Sequence, residues 1–270
     1  MEVLVVDNNC TDGTREIVEE FQQRLPIRRI TENQQGLSHA RNRAVAEFRG
    51  DVLLFTDDDV RLGLKWLEAY QDAISGFPNA DYYGGRILPD WGLAKPRWIG
   101  EKPLSLIDGV LVWFDQGVET REFSATDPPP FGASFAIRRK LFEKVGLFRV
   151  DLGTGGTGLG RGEETEFLLR ARNYGARGVY VGEALCFHSY DPQRLRLREL
   201  YYYGMSSGRS YSAIFALPDR GSYRTAGWFV LRGLYQAVRG RGDRFRQCII
   251  NAGIQVAIRP RRKGVASIPN

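Results

Sequence analysis

The chain has 270 residues, of which 43% are apolar and 26% are charged. This composition is ordinary for a globular protein, and the length allows one large domain or one domain with an appendage. No segment has the roughly 20 uninterrupted apolar residues of a membrane span, and the strand-like N-terminus lacks a signal-peptide pattern. The three cysteines lie far apart without metal or disulfide spacing, which favours a reducing compartment.

The formal net charge of +6 is unevenly distributed. Residues 191–270 carry 14 Arg and one Lys against four acidic residues, a net charge of +11, which leaves −5 for residues 1–190. Such a basic segment suits anionic lipid, nucleic acid or a phosphorylated ligand, and a solvated arginine-rich surface is the alternative. We predict an N-terminal domain over 1–190 and a helical, basic extension over 191–270.

Strands and helices alternate over the first 90 residues. Short apolar runs predict buried strands, and apolar residues at helical spacing predict helices between them. This order predicts an α/β fold with a parallel sheet and crossover helices. The predicted strands are 2–7, 27–30 and 51–56, and the predicted helices are 14–25, 36–48 and 62–74.

The alternation stops after "YYGGRI" (82–87). Residues 88–130 hold three of the five tryptophans and six of the twelve prolines without a clear period. A loop this long is often a functional lid or binding segment. Farther along, the pattern predicts strands at 131–137 and 178–188, and helices at 138–146, 163–175, 200–215, 226–240 and 248–258.

Three consecutive carboxylates, Asp57, Asp58 and Asp59, follow the strand predicted at 51–56. Ligands of open α/β sheets bind at the carboxyl ends of the strands, and adjacent carboxylates repel one another unless a cation neutralises them. Oxygen ligands on a short turn suit Mg²⁺ or Mn²⁺. The alternative is an acidic turn at the start of the next helix, whose N-terminus favours negative charge.

Asp7 and His188 also end predicted strands. In one parallel sheet Asp7 would share a rim with the acidic triplet, where a carboxylate can accept a base N–H or a ribose hydroxyl. The alternative is a local turn, because "DNNCTDG" consists of turn-forming residues. A lone histidine is more often structural than a ligand, but the position of His188 at a strand end near the acidic rim favours a ligand role.

Glu163, Glu164 and Glu166 cluster at a predicted helix start, where the helix dipole favours acidic residues. They follow a glycine-rich stretch, and a carboxylate beside an open loop is well placed to act as a general base. Within that stretch, "GTGGTG" (153–158) fits the dinucleotide pattern GxGxxG literally. We reject a dinucleotide site, because "RVDL" is a poor preceding strand and the helix begins only after further glycines.

Taken together, these motifs resemble family-2 glycosyltransferases, which have the GT-A nucleotide-sugar fold. The resemblance covers roughly residues 2–190, and the motifs occur in the family's order. It implies a mainly parallel sheet flanked by helices. The matching stretches are "VVDNNCTDGT", "NQQGLSHARNRAVAEFRGDVLLFTDDDV", "FGASFAIRRKLFEKVGLF" and "GEETEFLLRARNYG".

The resemblance also implies roles by position. Asp7 would contact the nucleotide base, Arg41 would lie near the base or diphosphate, and Asp58 would approach the ribose. Asp59, with Asp57 at the other end of the DxD pattern, would bind Mn²⁺ or Mg²⁺, and His188 would complete the metal site. Glu164 falls where the family usually has its catalytic aspartate, a departure that leaves Glu163 as the second candidate for the base.

The implied activity is inverting, metal-dependent sugar transfer from a nucleotide-diphosphate donor, by default a UDP-sugar, to a hydroxyl acceptor. The acceptor would be a saccharide or lipid-linked molecule of polysaccharide or glycolipid synthesis. The tryptophans of residues 88–130 would form an apolar wall for sugar rings, with a packed aromatic flap as the alternative. No P-loop pattern is present, which disfavours a nucleotidyl- or phosphotransferase.

The family has a further strand and helix before the segment with which this chain begins. We therefore expect Met1 to be an internal methionine, with a non-catalytic nucleotide-sugar-binding paralogue as the alternative. The basic extension predicts a cytoplasmic protein in peripheral contact with anionic membrane at its inner face. No nucleic-acid partner is expected, since no recognised nucleic-acid motif is present.

Overall fold

The computed structural model describes residues 1–92, 95–101, 106–155, 160–215 and 222–258. In chain order, the described strands are β1 (Val3–Asp7), β2 (Ile27–Thr31), β3 (Val52–Thr56), β4 (Val60–Leu62), β5 (Tyr82–Asp90), β6 (Arg121–Glu122), β7 (Ser134–Arg138) and β8 (Gly178–Ser189). The helices are α1 (Thr14–Phe21), α2 (Leu37–Glu47), α3 (Trp66–Gly76), α4 (Ile107–Leu111), α5 (Arg139–Val145), α6 (Glu163–Asn173), α7 (Leu197–Phe215), α8 (Tyr223–Val238) and α9 (Gly242–Ala257), with a 3₁₀ turn at Pro192–Leu195. The α/β class predicted from the sequence is confirmed.

The chain divides into two compact units. The first comprises Met1–Ala94 and Leu111–Tyr190, and the second comprises Lys95–Val110 and Asp191–Asn270. The units change after Tyr190, where the sequence predicted the start of the basic extension. Lys95–Val110 differs from the prediction, since it groups with the C-terminal helices. In that unit the Trp98 ring lies 4.1 Å from the Arg246 guanidinium, a contact between distant residues that local patterns do not reveal.

The strands of the first unit form two sheets. Strands β1 and β2 pair in parallel, and a six-stranded sheet has the order β3-β7-β5-β8-β4, with β6 also on β8. Strands β3, β5 and β8 run in one direction, whereas β4, β6 and β7 run in the opposite one. The six-stranded sheet is therefore mixed, and not mainly parallel as the resemblance implied. The prediction of one sheet that joins β1 to β3 is therefore wrong for the described residues. Strand β3 is an edge strand that pairs with β7, and β1 pairs with β2, so no described strand joins the two sheets.

Helices pack on both faces of the six-stranded sheet. On one face α3 packs against β5 and β8 around the buried Tyr70, Ile87 and Tyr180. On the other face α2, α5 and α6 cover β3 and β7. There the paired residues Phe55 and Phe135 stack with their ring centroids 4.7 Å apart. Each fully buried side chain of this size contributes about 1.5–3 kcal/mol to folding, so both cores hold the strand ends in place.

A strand that the sequence did not predict is decisive for the site. Residues Val60–Leu62 form β4 on β8, and α3 begins only at Trp66, whereas the sequence predicted a helix from residue 62. Gly63 ends this strand, and its N–H donates to the Leu185 carbonyl at 2.9 Å. A Cβ at Gly63 would stand 2.7 Å from that oxygen, so a glycine is needed here.

The second unit is helical, as predicted. Helix α9 packs against both α7 and α8. It begins at Gly242, six residues before the predicted start. The prediction used the spacing of apolar residues, and the first turns of the helix are mostly polar. None of the described helices combines the length with the apolarity that a bilayer crossing requires.

Candidate active site

The acidic triplet forms the turn between β3 and β4. Because β4 pairs with β8, the Asp59 carbonyl accepts the Ser189 N–H at 3.0 Å, and Val60 stands opposite His188 in the ladder. This pairing brings His188 Nε2 to 3.4 Å from Asp59 Oδ1. Two residues far apart in sequence thus meet through a three-residue strand.

Asp57, Asp59 and His188 form a cluster that can hold a metal ion. One ligand atom from each lies within 4.8 Å of the other two. The side chain of His188 is buried, and its Nδ1 lies 3.0 Å from the Ser189 carbonyl. A carbonyl only accepts, so Nδ1 donates to it, and Nε2 is the ring nitrogen on the side of Asp59 that could bind a metal.

The donor set fits a small, hard divalent cation. Two carboxylates with one neutral imidazole suit Mn²⁺ or Mg²⁺, and imidazole favours the transition metal. Burial raises the pKa of Asp57, and the nearby Asp59 raises it further, while Arg41 opposes the rise. A cation would relieve this repulsion. Asp58 is exposed.

Arg41 lies beneath the acidic residues. It is 5% exposed, and its guanidinium forms an ion pair with Glu163. Its Nη2 is 3.7 Å from Asp57 Oδ1, and its Nη1 is 4.0 Å from Glu164 Oε2. The rings of Phe135 and Phe148 lie 5.4 and 5.9 Å from the guanidinium carbon. Arg41 therefore links the candidate metal cluster to the start of α6.

Hydrogen bonds along one face of α2 fix the position of Arg41. Ser38 Oγ donates to the Leu152 carbonyl at 2.7 Å. Asn42 exchanges two bonds of 2.9 Å with the backbone of Phe148. Neither Ser38 nor Asn42 was predicted from the sequence as a site residue. Their spacing around Arg41 was the available signal, since polar residues at i, i+3 and i+4 share a helix face.

The burial of Arg41 bears on its predicted role. The sequence placed it near the nucleotide base or the diphosphate. In the structure its donors face Glu163, Glu164 and Asp57, and little of its surface meets solvent. This arrangement favours a residue that positions carboxylates over one that contacts the base directly.

The three glutamates at the start of α6 have different partners. Glu163 is buried and pairs with Arg41, and Glu166 pairs with Arg170 one turn later at 2.9 Å. Glu164 has no side-chain hydrogen-bond partner among the described residues, and burial together with Glu163 raises its pKa to about 7. Of the three, Glu164 has the properties of a general base that works near neutral pH.

Asp7 is held within its own turn. Its Oδ1 accepts the Cys10 N–H at 2.9 Å, and its Oδ2 pairs with Arg29 at 2.6 Å. These bonds lower the pKa of Asp7, the Cys10 bond most strongly. The side chain of the next residue, Asn8, bonds the segment that leads into α2, including the Gly36 N–H at 2.8 Å. The turn interpretation accounts for these contacts, and nucleotide binding by Asp7 stays a prediction.

Aromatic side chains gather beyond the ends of β5 and β8. The Trp91 ring centroid lies 5.8 Å from that of Trp113 and 5.0 Å from that of Tyr190. Tyr190 follows His188 by two residues, so this cluster lies at the strand end that carries the metal candidates. The rejected "GTGGTG" stretch lies partly outside the described residues, since the structure describes only its first half.

We expect Gly132→Ala to destabilise the protein by about 1–3 kcal/mol, as overpacking does in other cores. A Cβ at Gly132 would overlap the Arg41 guanidinium, which its ion pairs hold in place. Urea unfolding measures the effect. The matched control is Gly13→Ala, because a Cβ at Gly13 would meet no atom within 4 Å. Equal stability of the two variants would contradict the packing argument.

Comparison with known proteins identifies the family. Residues 1–146 match the model of glycosyl transferase family 2, so the chain belongs to that family. It is 26% identical over 176 residues to the glucosyl-dolichyl phosphate glucuronosyltransferase of Haloferax volcanii, covering 65% of this chain and 54% of that protein. The chain spans about half the length of the curated relatives it matches.

Solved structures share the fold. A GalNAc-T7 structure with UDP, GalNAc and Mn²⁺ superposes with a TM-score of 0.52 at 18% identity, over 80% of this chain and 45% of that chain. The mannosyltransferase PcManGT of Pyrobaculum calidifontis, in complex with GDP-Man and Mn²⁺, gives a TM-score of 0.51 at 16% identity, over 95% of this chain and 63% of that chain. The family and the GT-A-type fold expected from the motifs are confirmed.

Proposed function

We propose that this protein is an inverting, metal-dependent glycosyltransferase that moves a sugar from a nucleotide-diphosphate donor to an acceptor hydroxyl. The observation that carries the proposal is the arrangement around Arg41, which places the Asp57–Asp59–His188 cluster and Glu164 on either side of one buried guanidinium. One side of this site suits a cation, and the other offers a carboxylate with a raised pKa.

Asp57, Asp59 and His188 would hold Mn²⁺ or Mg²⁺. The bound cation supplies stabilisation of the negative charge that develops on the departing diphosphate. Asp58, exposed at the tip of the same turn, is available to a ribose hydroxyl. Asp7 is assigned to the base only by the family resemblance.

Glu164 is the proposed base. Its carboxylate takes the proton of the acceptor hydroxyl, and the acceptor oxygen bonds to the anomeric carbon. The bond from that carbon to the diphosphate oxygen breaks on the opposite face, and the nucleoside diphosphate leaves with the bonding electrons. Configuration at the anomeric carbon inverts. Glu163 is occupied by Arg41 and is the weaker candidate for the base.

Evidence on which nucleotide carries the donor sugar, and on which acceptor receives it, comes from the relatives only. The two structural neighbours are bound to UDP and to GDP-Man, so the fold leaves the nucleotide open. The name of the Haloferax relative describes transfer to a lipid-linked sugar. We propose a saccharide or lipid-linked saccharide acceptor, with Trp91, Trp113 and Tyr190 as the aromatic wall for its rings.

Asp59→Asn should abolish metal-dependent donor binding. A nucleotide at 100 times its Kd stabilises a protein by roughly 2.7 kcal/mol, which a thermal melt detects readily. We expect one of UDP, GDP and dTDP to raise the Tm of the wild type in the presence of Mn²⁺, and we expect Asp59→Asn to lose that shift. Asp72→Asn, an exposed carboxylate on α3, is the control and should keep it.

Three outcomes count against the proposal. The same shift in Asp59→Asn would remove Asp59 from the metal site. A shift of equal size without Mn²⁺ would remove metal dependence. A metal-dependent shift in a protein that transfers no sugar to any acceptor offered would favour the non-catalytic, nucleotide-sugar-binding alternative.

A further inference from the structure

Helix α8 of the second unit exposes most of its large apolar side chains and buries few of its residues. Its buried positions are Ala226, Gly233 and Gln236. Seven large apolar side chains are each between 39% and 89% exposed, namely Tyr223, Trp228, Val230, Leu231, Leu234, Tyr235 and Val238. A helix on the surface of a globular protein normally directs such residues toward the core.

The exposed side chains form one continuous surface. At 3.6 residues per turn, the seven positions occupy an arc about 160° wide on the side of α8 away from its buried residues. We call this surface the α8 apolar face. Contiguous apolar surface of this kind on a folded protein marks an interaction site.

The charged side chains of α8 itself have a single sign. Residues 222–242 contain four Arg and no Asp, Glu or Lys. Arg232 and Arg239 border the face, and both guanidinium groups lie over its aromatic rings. The first is 5.0 Å from the Trp228 ring, and the second is 5.5 Å from the Tyr235 ring and donates to its hydroxyl at 2.7 Å. The Trp228 and Tyr235 rings thus each have a positive charge beside them.

The helices of this unit approach one another closely at glycine positions. A Cβ at Gly204 of α7 would overlap the Ile250 carbonyl of α9, and a Cβ at Gly253 of α9 would overlap the Tyr201 carbonyl of α7. On α8, a Cβ at Gly233 would stand 3.2 Å from Phe245 and Cys248. Glycines at these contacts let the helices approach closely, and the large apolar side chains of α8 remain outside the contacts.

We propose that the α8 apolar face inserts into the interfacial region of an anionic lipid bilayer. An amphipathic helix with Trp, Tyr and Leu on one side and Arg at its border matches the composition of interfacial membrane helices. The arginines would reach the phosphates while the apolar side chains enter the acyl boundary. The charge favours lipid over a second copy of this chain, because two all-cationic faces repel. The proposal does not depend on sugar transfer.

Sedimentation with vesicles tests the proposal on the full chain. We expect the wild type to bind vesicles of phosphatidylcholine with phosphatidylglycerol at low salt, and to bind phosphatidylcholine alone much more weakly. The double variant Leu231→Gln with Leu234→Gln should weaken binding on the order of 10-fold or more, because two leucines leave the apolar phase. The double variant Arg224→Gln with Arg232→Gln should weaken binding to the anionic vesicles by on the order of 10-fold.

The control is Ile17→Gln with Leu25→Gln. These two side chains of the first unit are 57% and 48% exposed, similar to 68% and 52% for Leu231 and Leu234. The control should bind as the wild type does, and circular dichroism checks that every variant is folded.

Three results would overturn the proposal. The first is wild-type binding by both α8 variants. The second is a wild type that ignores anionic vesicles. The third is a wild-type dimer that the leucine variant dissociates, which would assign the α8 apolar face to a second copy. Because no nucleotide sugar is present, failure here leaves the transferase proposal untouched.

Discussion

Replacement of Glu164 by Gln is expected to lower kcat/KM for sugar transfer by about 10²- to 10⁴-fold, the usual contribution of a general base. Glutamine keeps the shape and the buried position of the side chain but cannot take a proton. Donor binding should persist, because the proposed metal ligands lie in the turn between β3 and β4 and on β8 rather than on α6. Initial rates with a radiolabelled donor, together with the thermal shift by the nucleotide, separate the two effects.

The pH profile identifies the base more sharply than the loss of rate does. Burial and the neighbouring Glu163 raise the pKa of Glu164 to about 7. The active form is deprotonated, so wild-type kcat/KM should rise with pH and level off above about 7. The residual activity of Glu164→Gln should lack this rise with pH, which we call the ascending limb of the profile.

Stability should change in the opposite direction to activity. The folded-state pKa of Glu164 lies above its ordinary value of 4.5, so the folded protein holds the proton more tightly than the unfolded chain does. The contribution of Glu164 to the free energy of unfolding therefore falls as pH rises from about 4.5 to 7. Above pH 7 the folded protein bears the full cost of the ionised side chain. We expect Glu164→Gln to be more stable than the wild type above pH 7, by as much as roughly 3 kcal/mol.

The control is Glu166→Gln, on the same turn of α6. Glu166 pairs with Arg170, so its loss should affect stability modestly and leave the pH limb of activity in place. Retention of the limb in Glu164→Gln, or its loss in Glu166→Gln, would show that Glu164 is not the base.

Replacement of Arg41 by Met is expected to destabilise the fold by about 3–5 kcal/mol. Removing one partner of a buried ion pair leaves the other charge without compensation. Here the side chain of Glu163 is 4% exposed and would lose its counter-charge, and Asp57 would lose its nearest cation. Urea unfolding gives the free energy. The comparison is Arg177→Met, whose ion pair with Glu122 is half exposed and should cost within about 1 kcal/mol.

A second substitution separates the lost pair from lost packing. In Arg41→Met with Glu163→Gln, the uncompensated carboxylate is also removed, so the double variant should be more stable than the sum of the single effects predicts. Arg41 lowers the pKa of Glu164, so Arg41→Met should also move the activity limb to higher pH. If the effects of the two substitutions on the free energy of unfolding are additive, and the pH dependence of kcat/KM does not shift, then Arg41 only packs in the core and does not influence the base.

The local features of this protein follow from its sequence. The strands at 2–7 and 51–56, the helix that contains Arg41 and the helix that begins at Glu163 could be predicted, because hydrophobic periodicity and turn chemistry act over a few neighbouring residues. The full burial expected of the two strands is wrong, since most of their residues are only partly buried. The acidic residues at the strand end and the glutamates at the helix start were visible for the same reason. Their order along the chain was enough to indicate the family.

Contacts between distant residues depended on the tertiary structure. Arg41 and Glu163 are 122 residues apart, and the meeting of Asp59 with His188 requires β4, a three-residue strand too short to show a period. The separate β1–β2 sheet and the antiparallel β7 likewise arise from pairings that no local pattern encodes.

In helix α8, too, some features follow from the local sequence and others depend on the tertiary structure. Its spacing predicted a helix and its composition a basic one, but periodicity identifies an apolar stripe without saying what covers it. The sequence by itself determined the class of fold, the family and the residue types of the site. Only the packing of distant segments decided which glutamate is paired with Arg41, which carboxylates lie beside His188 and which side of α8 is left exposed.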